Sequence, residues 1–385
     1  MPKRTPESCT NGRASVEGRA KPDPAGSAPA SAGPPQSAPR IKEMGLSSEG
    51  RQAGPRLRVA TYNVLAGGGH RWAELGHVVR ATDADVIALQ EIEDPEPMRR
   101  MGEKLGYHVI FGPAPRFRHQ GFLSRLPVRA WRNHQDPSVY PRNSLEVTVD
   151  APEGSSVGQV RLHTVHLTAA FQRKGRAEPE RLRELEAVRS QAAQEPSVPH
   201  LILGDFNALA PGDHLRAADF LGLLSEWRRT GVLEEVGGVG QIPPQVAALR
   251  WWRRDPSGPG LDELSEVARD GIPRLPWLVH PLIDILPRGE STDTVVGAFI
   301  PRAAVRSMLA AGYVDCLRRI HPRADSFTCP TYLPTVRIDY IFAGVELAAK
   351  LINCEVVARQ GALSEVAKKA SDHFPVVAEF DLGRH

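Results

Sequence analysis

The sequence predicts a layered α/β sandwich, and three observations carry that prediction. Short apolar, β-rich runs recur along the chain, among them VIALQE, LEVTVD, LILGDFN, VRIDYIF and FPVVAEF, at the length of strands buried on both faces. Segments of helical periodicity lie between them, for example over 179–194 and 302–311. Interleaved buried strands and helices pack as alternating layers. No run of about 18 apolar residues occurs, and the greasiest segment, Leu275 to Leu286, is broken by Pro276, His280, Pro281 and Asp284, so a bilayer-spanning helix is excluded. The four cysteines, Cys9, Cys316, Cys329 and Cys354, contain no CxxC pair, which argues against a disulfide scaffold or a zinc ribbon.

Residues 1–55 stand apart. Pro, Gly and Ser supply 9, 7 and 7 of them, and PAGSAPASAGPPQSAP is low-complexity; with so little apolar surface to offset the entropy of ordering, a disordered tail is expected. Its opening, MPKRTPESCTNGR, reaches no apolar stretch, so no secretory signal is read and a cytoplasmic, monomeric enzyme is the expectation. The domain proper is expected over 56–385. LRVATYNVL alternates as a strand; Gly67-Gly68-Gly69 ends it; His70 to Arg80 then set Trp72, Leu75, Val78 and Val79 on one helical face. VIALQE, GFLSRLPV, LEVTVD and VRLHTVHL follow as strands, then the helix over 179–194, then LILGDFN. An insertion over about 212–300, with helical patterns at 217–227 and 261–268, Pro-rich joints and Trp227, Trp251, Trp252 and Trp277, precedes the helix at 302–311 and the strands VRIDYIF and FPVVAEF.

Several strands end on a polar residue where a turn residue would serve. TYN ends on Asn63, ALQE on Glu91, HTVHL carries His166, GDFN carries Asp205 and Asn207, RIDY carries Asp339, and SDHFP carries Asp372 and His373. An acid at the tip of an apolar strand costs stability unless it is paired or binds a metal. Any one of them alone reads as a solvated acid, an Asx turn or a core histidine; their joint occurrence points to a site. Hard oxygens with two imidazoles suit Mg²⁺ or Mn²⁺, whereas zinc would call for more His or Cys at short spacing. Such a set suits phosphate ester cleavage, where charge develops on oxygen.

TYN, LQE, GFLSRLPV, HTVHL, GDFN, RIDYIF and SDHFPV, in this order, resemble the endonuclease/exonuclease/phosphatase superfamily over roughly residues 57–210 and 311–381. The resemblance implies a four-layer α/β sandwich of two mixed β-sheets flanked by helices, and a Mg²⁺- or Mn²⁺-dependent phosphoester hydrolase. It also implies roles. Glu91 would be the main metal carboxylate, aided by Asn63, with Asp372 a metal or outer ligand. Asp205 and Asn207 would orient the attacking water and touch phosphate. Asp339 and His373 would form an acid–imidazole pair, and His166 would assist the leaving group and bind substrate.

The substrate is expected to be a phosphodiester, with nucleic acid the first candidate. Arg116, Arg118, His119, Arg125, Arg129 and Arg132 lie near one loop, and Arg173, Lys174 and Arg176 follow His166. Arg125, within the SRLP phrase, is the arginine expected to bind substrate. The domain itself is neutral, with 40 basic and 40 acidic residues after the tail's 8 and 5 are subtracted from 48 and 45, which speaks against a broad nucleic-acid footprint. A lipid or small-molecule phosphoesterase, similar to neutral sphingomyelinases, is the alternative: Trp251-Trp252-Arg253-Arg254 and LPWLVHPLIDILP would suit a membrane surface. A non-catalytic binding module is a third reading, disfavoured because no member of the site is missing.

Overall fold

The apolar runs become twelve strands in two six-stranded sheets. The computed structural model describes residues 54–65, 67–69, 71–115, 118–169, 177–229 and 289–383. One sheet runs in the order β11 (Leu351–Val356), β12 (Val376–Asp381), β1 (Arg56–Asn63), β2 (Val86–Ile92), β4 (His119–Ser124), β3 (His108–Gly112). The other runs β5 (Val128–His134), β6 (Ser144–Asp150), β7 (Gln159–His166), β8 (His200–Asp205), β10 (Asp339–Ala343), β9 (Val314–Asp315). Both are mixed. The parallel pairs are β1 with β2 and β7 with β8, joined through α1 (Trp72–Thr82) and α3 (Ala177–Ala192); the other pairings are antiparallel.

Three apolar layers hold four structural ones. Leu57, Val59, Val86 and Phe122 of the first sheet meet Val147, Leu162, Leu203 and Ile341 of the second in an apolar inter-sheet core. On the outer face of the first sheet, Tyr62, Ile87 and Leu89 pack on α1, on α2 (Pro95–Lys104) and on α9 (Gly361–Ala370) through Leu75, Val78, Met98, Met101 and Ala367. On the outer face of the second, Val165, Ile202, Phe206 and Phe342 pack on α3 and α6 (Ala303–Ala310) through Leu185, Val188 and Met308. The four-layer α/β sandwich expected from the sequence is therefore the fold.

Some boundaries differ from expectation. GFLSRLPV is not one strand: β4 ends at Ser124 in the first sheet and β5 begins at Val128 in the second. Pro127 has no N–H for a ladder, and Ser124 Oγ accepts from Leu126 N while donating to Leu126 O, closing the turn between them. The strands β3, β5 and β11 and the helices α2 and α9 were not anticipated; β5 alternates poorly because it is an exposed edge strand. Of the predicted insertion, α4 (Ala217–Arg229) and α5 (Glu290–Phe299) are described. The helix at 261–268 and Trp251, Trp252 and Trp277 lie outside the described residues, as do residues 1–53 of the N-terminal tail, Arg116, Arg173, Lys174 and Arg176. Among the described residues, no helix is long and apolar enough to cross a membrane.

Gly204 shows how tightly the strands meet below the site. Its φ is +142°, and a Cβ placed there would lie 1.9 Å from the carbonyl oxygen of Val165 on β7. That explains the glycine of GDFN: only a residue without a side chain lets β8 approach β7 this closely. Gly204→Ala should therefore destabilise the fold by about 2–4 kcal/mol, read by chemical denaturation. A loss under about 0.5 kcal/mol would show that β7 can yield.

Candidate active site

Strand direction gathers the polar tips at one end of the sandwich. The C-terminal ends of the parallel strands β1 and β2 deliver Asn63 and Glu91, and those of β7 and β8 deliver His166 and Asp205. Because β10 runs antiparallel to β8, its first residue, Asp339, stands in register with Asp205, and His166 is in register with Asp205 from the other side. Likewise β12 runs antiparallel to β1, so the turn ahead of it carries Asp372 and His373 to the same end.

One oxygen is the meeting point. Asp205 Oδ2 accepts from Asn63 Nδ2 at 3.1 Å and from Asn207 Nδ2 at 3.2 Å, with His166 Nε2 at 3.5 Å and His373 Nε2 at 4.0 Å. Asp205 Oδ1 accepts the backbone N–H of Asn207 at 2.8 Å, an Asx turn that the asparagine stabilises at φ +47°. Glu91 Oε1 lies 3.5 Å from His166 Nε2 and 3.8 Å from Arg118 Nη1. Glu91 has φ +63°, uncommon outside glycine, where the β2–β4 register shifts between Leu89 and Ile92. Strained backbone at a strand end aims this carboxylate inward.

The acid–imidazole pair expected from the sequence is present as geometry. His373 Nδ1 contacts Asp339 Oδ2 at 2.9 Å and Oδ1 at 3.1 Å, both residues being buried. The SDH serine bolts the turn in place: Ser371 Oγ donates to Asn63 O at 2.7 Å and accepts from His373 N at 3.2 Å. Asp372 Oδ1 lies 3.9 Å from His373 Nε2, on a side chain that keeps 27% of its surface exposed. Asn63 Oδ1 accepts from Leu65 N at 3.0 Å, which fixes the amide so that its N–H₂ faces Asp205.

Burial and neighbours set the protonation states. Burial pushes Asp205 up to about 7, against the pull of His373. Burial opposes a charged His373, but Asp339, Cys329 and Asp372 outweigh it and hold the imidazole well above its ordinary range. Burial, then Arg142, holds His166 well below that range, so it is neutral. Burial also raises Asp372.

Arg125 does not join the cluster. It follows β4 at Ser124, which pairs with Val86 at the far end of β2, roughly 17 Å from Glu91 at 3.3–3.4 Å per residue. There it bonds Asp83 at 3.0 Å and stacks over Tyr107. Because β4 runs antiparallel to β2, the SRLP phrase falls at the wrong end for substrate. Asn207 does join, but its amide is engaged with Asp205 and with Leu167 O at 3.0 Å. His166, only 2% exposed, sits beneath the acids.

Three residues beside the site went unassigned in the sequence. Arg118, named there only as one of several loop arginines, is buried against Glu91. Arg142 is buried and donates to His166 O at 3.1 Å and Leu167 O at 3.2 Å. Gln90 donates to Thr61 Oγ1 and Thr164 Oγ1, a polar bridge between the sheets directly below the cluster. Arg142 lies in the polar PRNS stretch ahead of β6 and carries no signal in the sequence.

The donor set fits a hard divalent cation. Glu91, Asp205 and Asp372 bring carboxylates toward one space, and Asp205, Asp339 and His373 offer ligand atoms within 4.8 Å of one another. Buried carboxylates in this number need a cation to offset them.

Comparisons with known proteins agree with this fold. The model of the endonuclease/exonuclease/phosphatase family matches residues 60–373. Among solved structures, a 3′ phosphatase, NExo, from Neisseria, bound to a product DNA hairpin, is similar at 16% identity and a TM-score of 0.52, over 84% of this chain and 99% of its own. An AP endonuclease from Archaeoglobus fulgidus is similar at 17% identity and 0.51, over 84% and 99%. An endonuclease/exonuclease/phosphatase from Beutenbergia cavernae is similar at 18% and 0.50, over 86% and 72%. No curated protein matches the sequence.

Asp339 should be what keeps His373 charged. In metal-free protein, the His373 ring followed by NMR should titrate well above its ordinary range, and Asp339→Asn should bring it back down toward that range. With the folded value raised, the pair's contribution to stability is complete below pH 6.5 and is lost as pH climbs through that folded value. Unchanged titration in Asp339→Asn would remove the pairing from the account.

Proposed function

The chain belongs to the endonuclease/exonuclease/phosphatase family, and on that premise we propose that it is a Mg²⁺- or Mn²⁺-dependent hydrolase that cleaves a phosphodiester by in-line attack of water, with nucleic acid as the substrate class. The observation that carries this reading is the convergence of Asn63, Asn207, His166 and His373 on Asp205 Oδ2, beside Glu91 and Asp372.

Glu91 and Asp372 would hold the cation, with Asp205 bordering them; Asn63, expected as a ligand, turns its N–H₂ to Asp205 and its Oδ1 to Leu65 N, and would orient the acid instead. When bound, the cation neutralises phosphate charge and binds the oxygens on which charge develops. Asp205, pushed up to about 7, is suited to take a proton from the attacking water. Asn63 and Asn207 fix its orientation. His373, kept protonated by Asp339, faces the same space through Nε2 and offsets negative charge on the phosphoryl oxygens. His166 was expected at the leaving group; being buried and neutral between Glu91 and Asp205, it acts here as a positioning residue. Arg118 adds a cation at the Glu91 side.

DNA as substrate class is supported by the Neisseria phosphatase, whose structure holds a product DNA hairpin, and by the AP endonuclease. The lipid reading rests on tryptophans outside the described residues, and no described feature favours it. A cytoplasmic monomer remains part of this proposal.

Purified protein should hydrolyse bis-p-nitrophenyl phosphate and DNA oligonucleotides with Mg²⁺ or Mn²⁺, and excess chelator should abolish both activities. Turnover that survives the chelator refutes the metal role; turnover of sphingomyelin but not DNA replaces the substrate class. His373→Ala should lower kcat about a hundredfold or more. Glu91→Gln should raise the Mg²⁺ concentration needed for half-maximal activity, and an unchanged requirement would move the metal elsewhere.

A further inference from the structure

Cys329 is a nucleophilic side chain beside His373 that the proposed hydrolysis does not use. Its Sγ, a carboxylate oxygen of Asp372 and a ring nitrogen of His373 lie within 4.8 Å of one another. His373 Nδ1 is taken by Asp339 at 2.9 Å, which leaves Nε2, 3.9 Å from Asp372 Oδ1, as the ring atom able to coordinate. A carboxylate behind an imidazole fixes the tautomer and raises the basicity of a metal-binding histidine. The backbone holds the three ligands together: Thr331 N donates to Asp372 O and Phe374 N to Thr328 O, each at 2.8 Å, so hydrogen bonds flank Cys329 on both sides. Asp372 is partly exposed, giving a cation a way in.

Sulfur, imidazole and one carboxylate are not a magnesium set. Three protein ligands of this softness with a fourth position left open suit zinc or its softer analogue cadmium. We propose that Cys329, Asp372 and His373 form a site for a thiophilic divalent cation, Zn²⁺ or Cd²⁺, and that its occupancy inhibits the enzyme by capturing His373 Nε2. The binding half stands by itself; the inhibitory half rests on the proposed function. Burial pushes the Cys329 thiol up to about 12, so it enters the reaction protonated. On binding, the Cys329 S–H bond and the Nε2–H bond of the protonated His373 break, S–metal and N–metal bonds form, and both protons leave to water.

Metal-free full-length protein titrated with Cd²⁺ alone should gain a thiolate-to-cadmium charge-transfer band. Cys329→Ser and Cys329→Ala, checked for native circular dichroism, should lose one thiolate's share of that band and bind Cd²⁺ about tenfold more weakly or worse by calorimetry. In the unsubstituted chain, Cd²⁺ should protect the Cys329 peptide from N-ethylmaleimide, read by mass spectrometry, which needs no variant to fold. Equal bands and affinities in the folded variants, or no protection, overturn the site. With Mg²⁺-supported turnover as readout, Zn²⁺ should inhibit the wild type at a concentration about tenfold below that for Cys329→Ser; equal inhibition overturns the regulatory half. A chain with no Mg²⁺-supported turnover would end the proposed function, while the Cd²⁺ titration would still decide the site.

Discussion

A buried carboxylate oxygen, Asp205 Oδ2, is the constraint around which this end of the molecule is arranged. Taking an acid out of water is expensive unless donors or cations answer it. Here the answer comes from two amides, Asn63 and Asn207, and two imidazoles, His166 and His373, none closer than 3.1 Å. These four come from β1, from β7 and from two loops, so the oxygen ties both sheets together. Burial still leaves Asp205 with a pKa near 7, which means the protein donors only partly answer its charge. A cation would complete what the side chains begin.

The fold makes that meeting possible through direction as much as through proximity. Parallel pairing in each sheet sends two strand tips to the same end, and antiparallel neighbours return their first residues there. Register then supplies the fine placement: His166, Asp205 and Asp339 sit side by side across three strands. Gly204 permits β7 and β8 to close, and Gln90 bridges the sheets just below. Left-handed backbone gathers at this end, at Leu65, Glu91, Arg118 and Asn207, and at Glu91 it aims an acid inward.

Much of this was legible in the letters, for a physical reason. A polar residue ending an apolar strand contradicts the local pattern, so Asn63, Glu91, Asp205, Asp339 and His373 announced themselves. Residues that support the site without breaking a pattern did not. Arg142 acts by bonding two carbonyls, Gln90 lies inside a run that reads as buried strand, and Ser371 works through its hydroxyl; spacing alone signals none of these. Arg125 misled because a motif phrase carries no strand direction, and direction sends it to the far end. The edge strands β3, β5 and β11 were missed because each is short or half exposed, which blurs the alternation that marks a strand.

The charge balance ties these points to recognition. Outside the tail the chain is neutral, yet the site concentrates Glu91, Asp205, Asp339 and Asp372 at one end of the sandwich. A phosphodiester is itself an anion, so the bare pocket repels what it is proposed to cleave. Arg118 and a protonated His373 soften that repulsion, while Arg71 and Arg142, near the same acids, also donate to backbone carbonyls. A hard divalent cation held by Glu91 and Asp372 would then serve binding before chemistry, reversing the sign of the pocket the substrate meets. Affinity concentrated on one phosphate in this way does not need a basic surface, which reconciles a nucleic-acid substrate class with a domain that carries no basic excess.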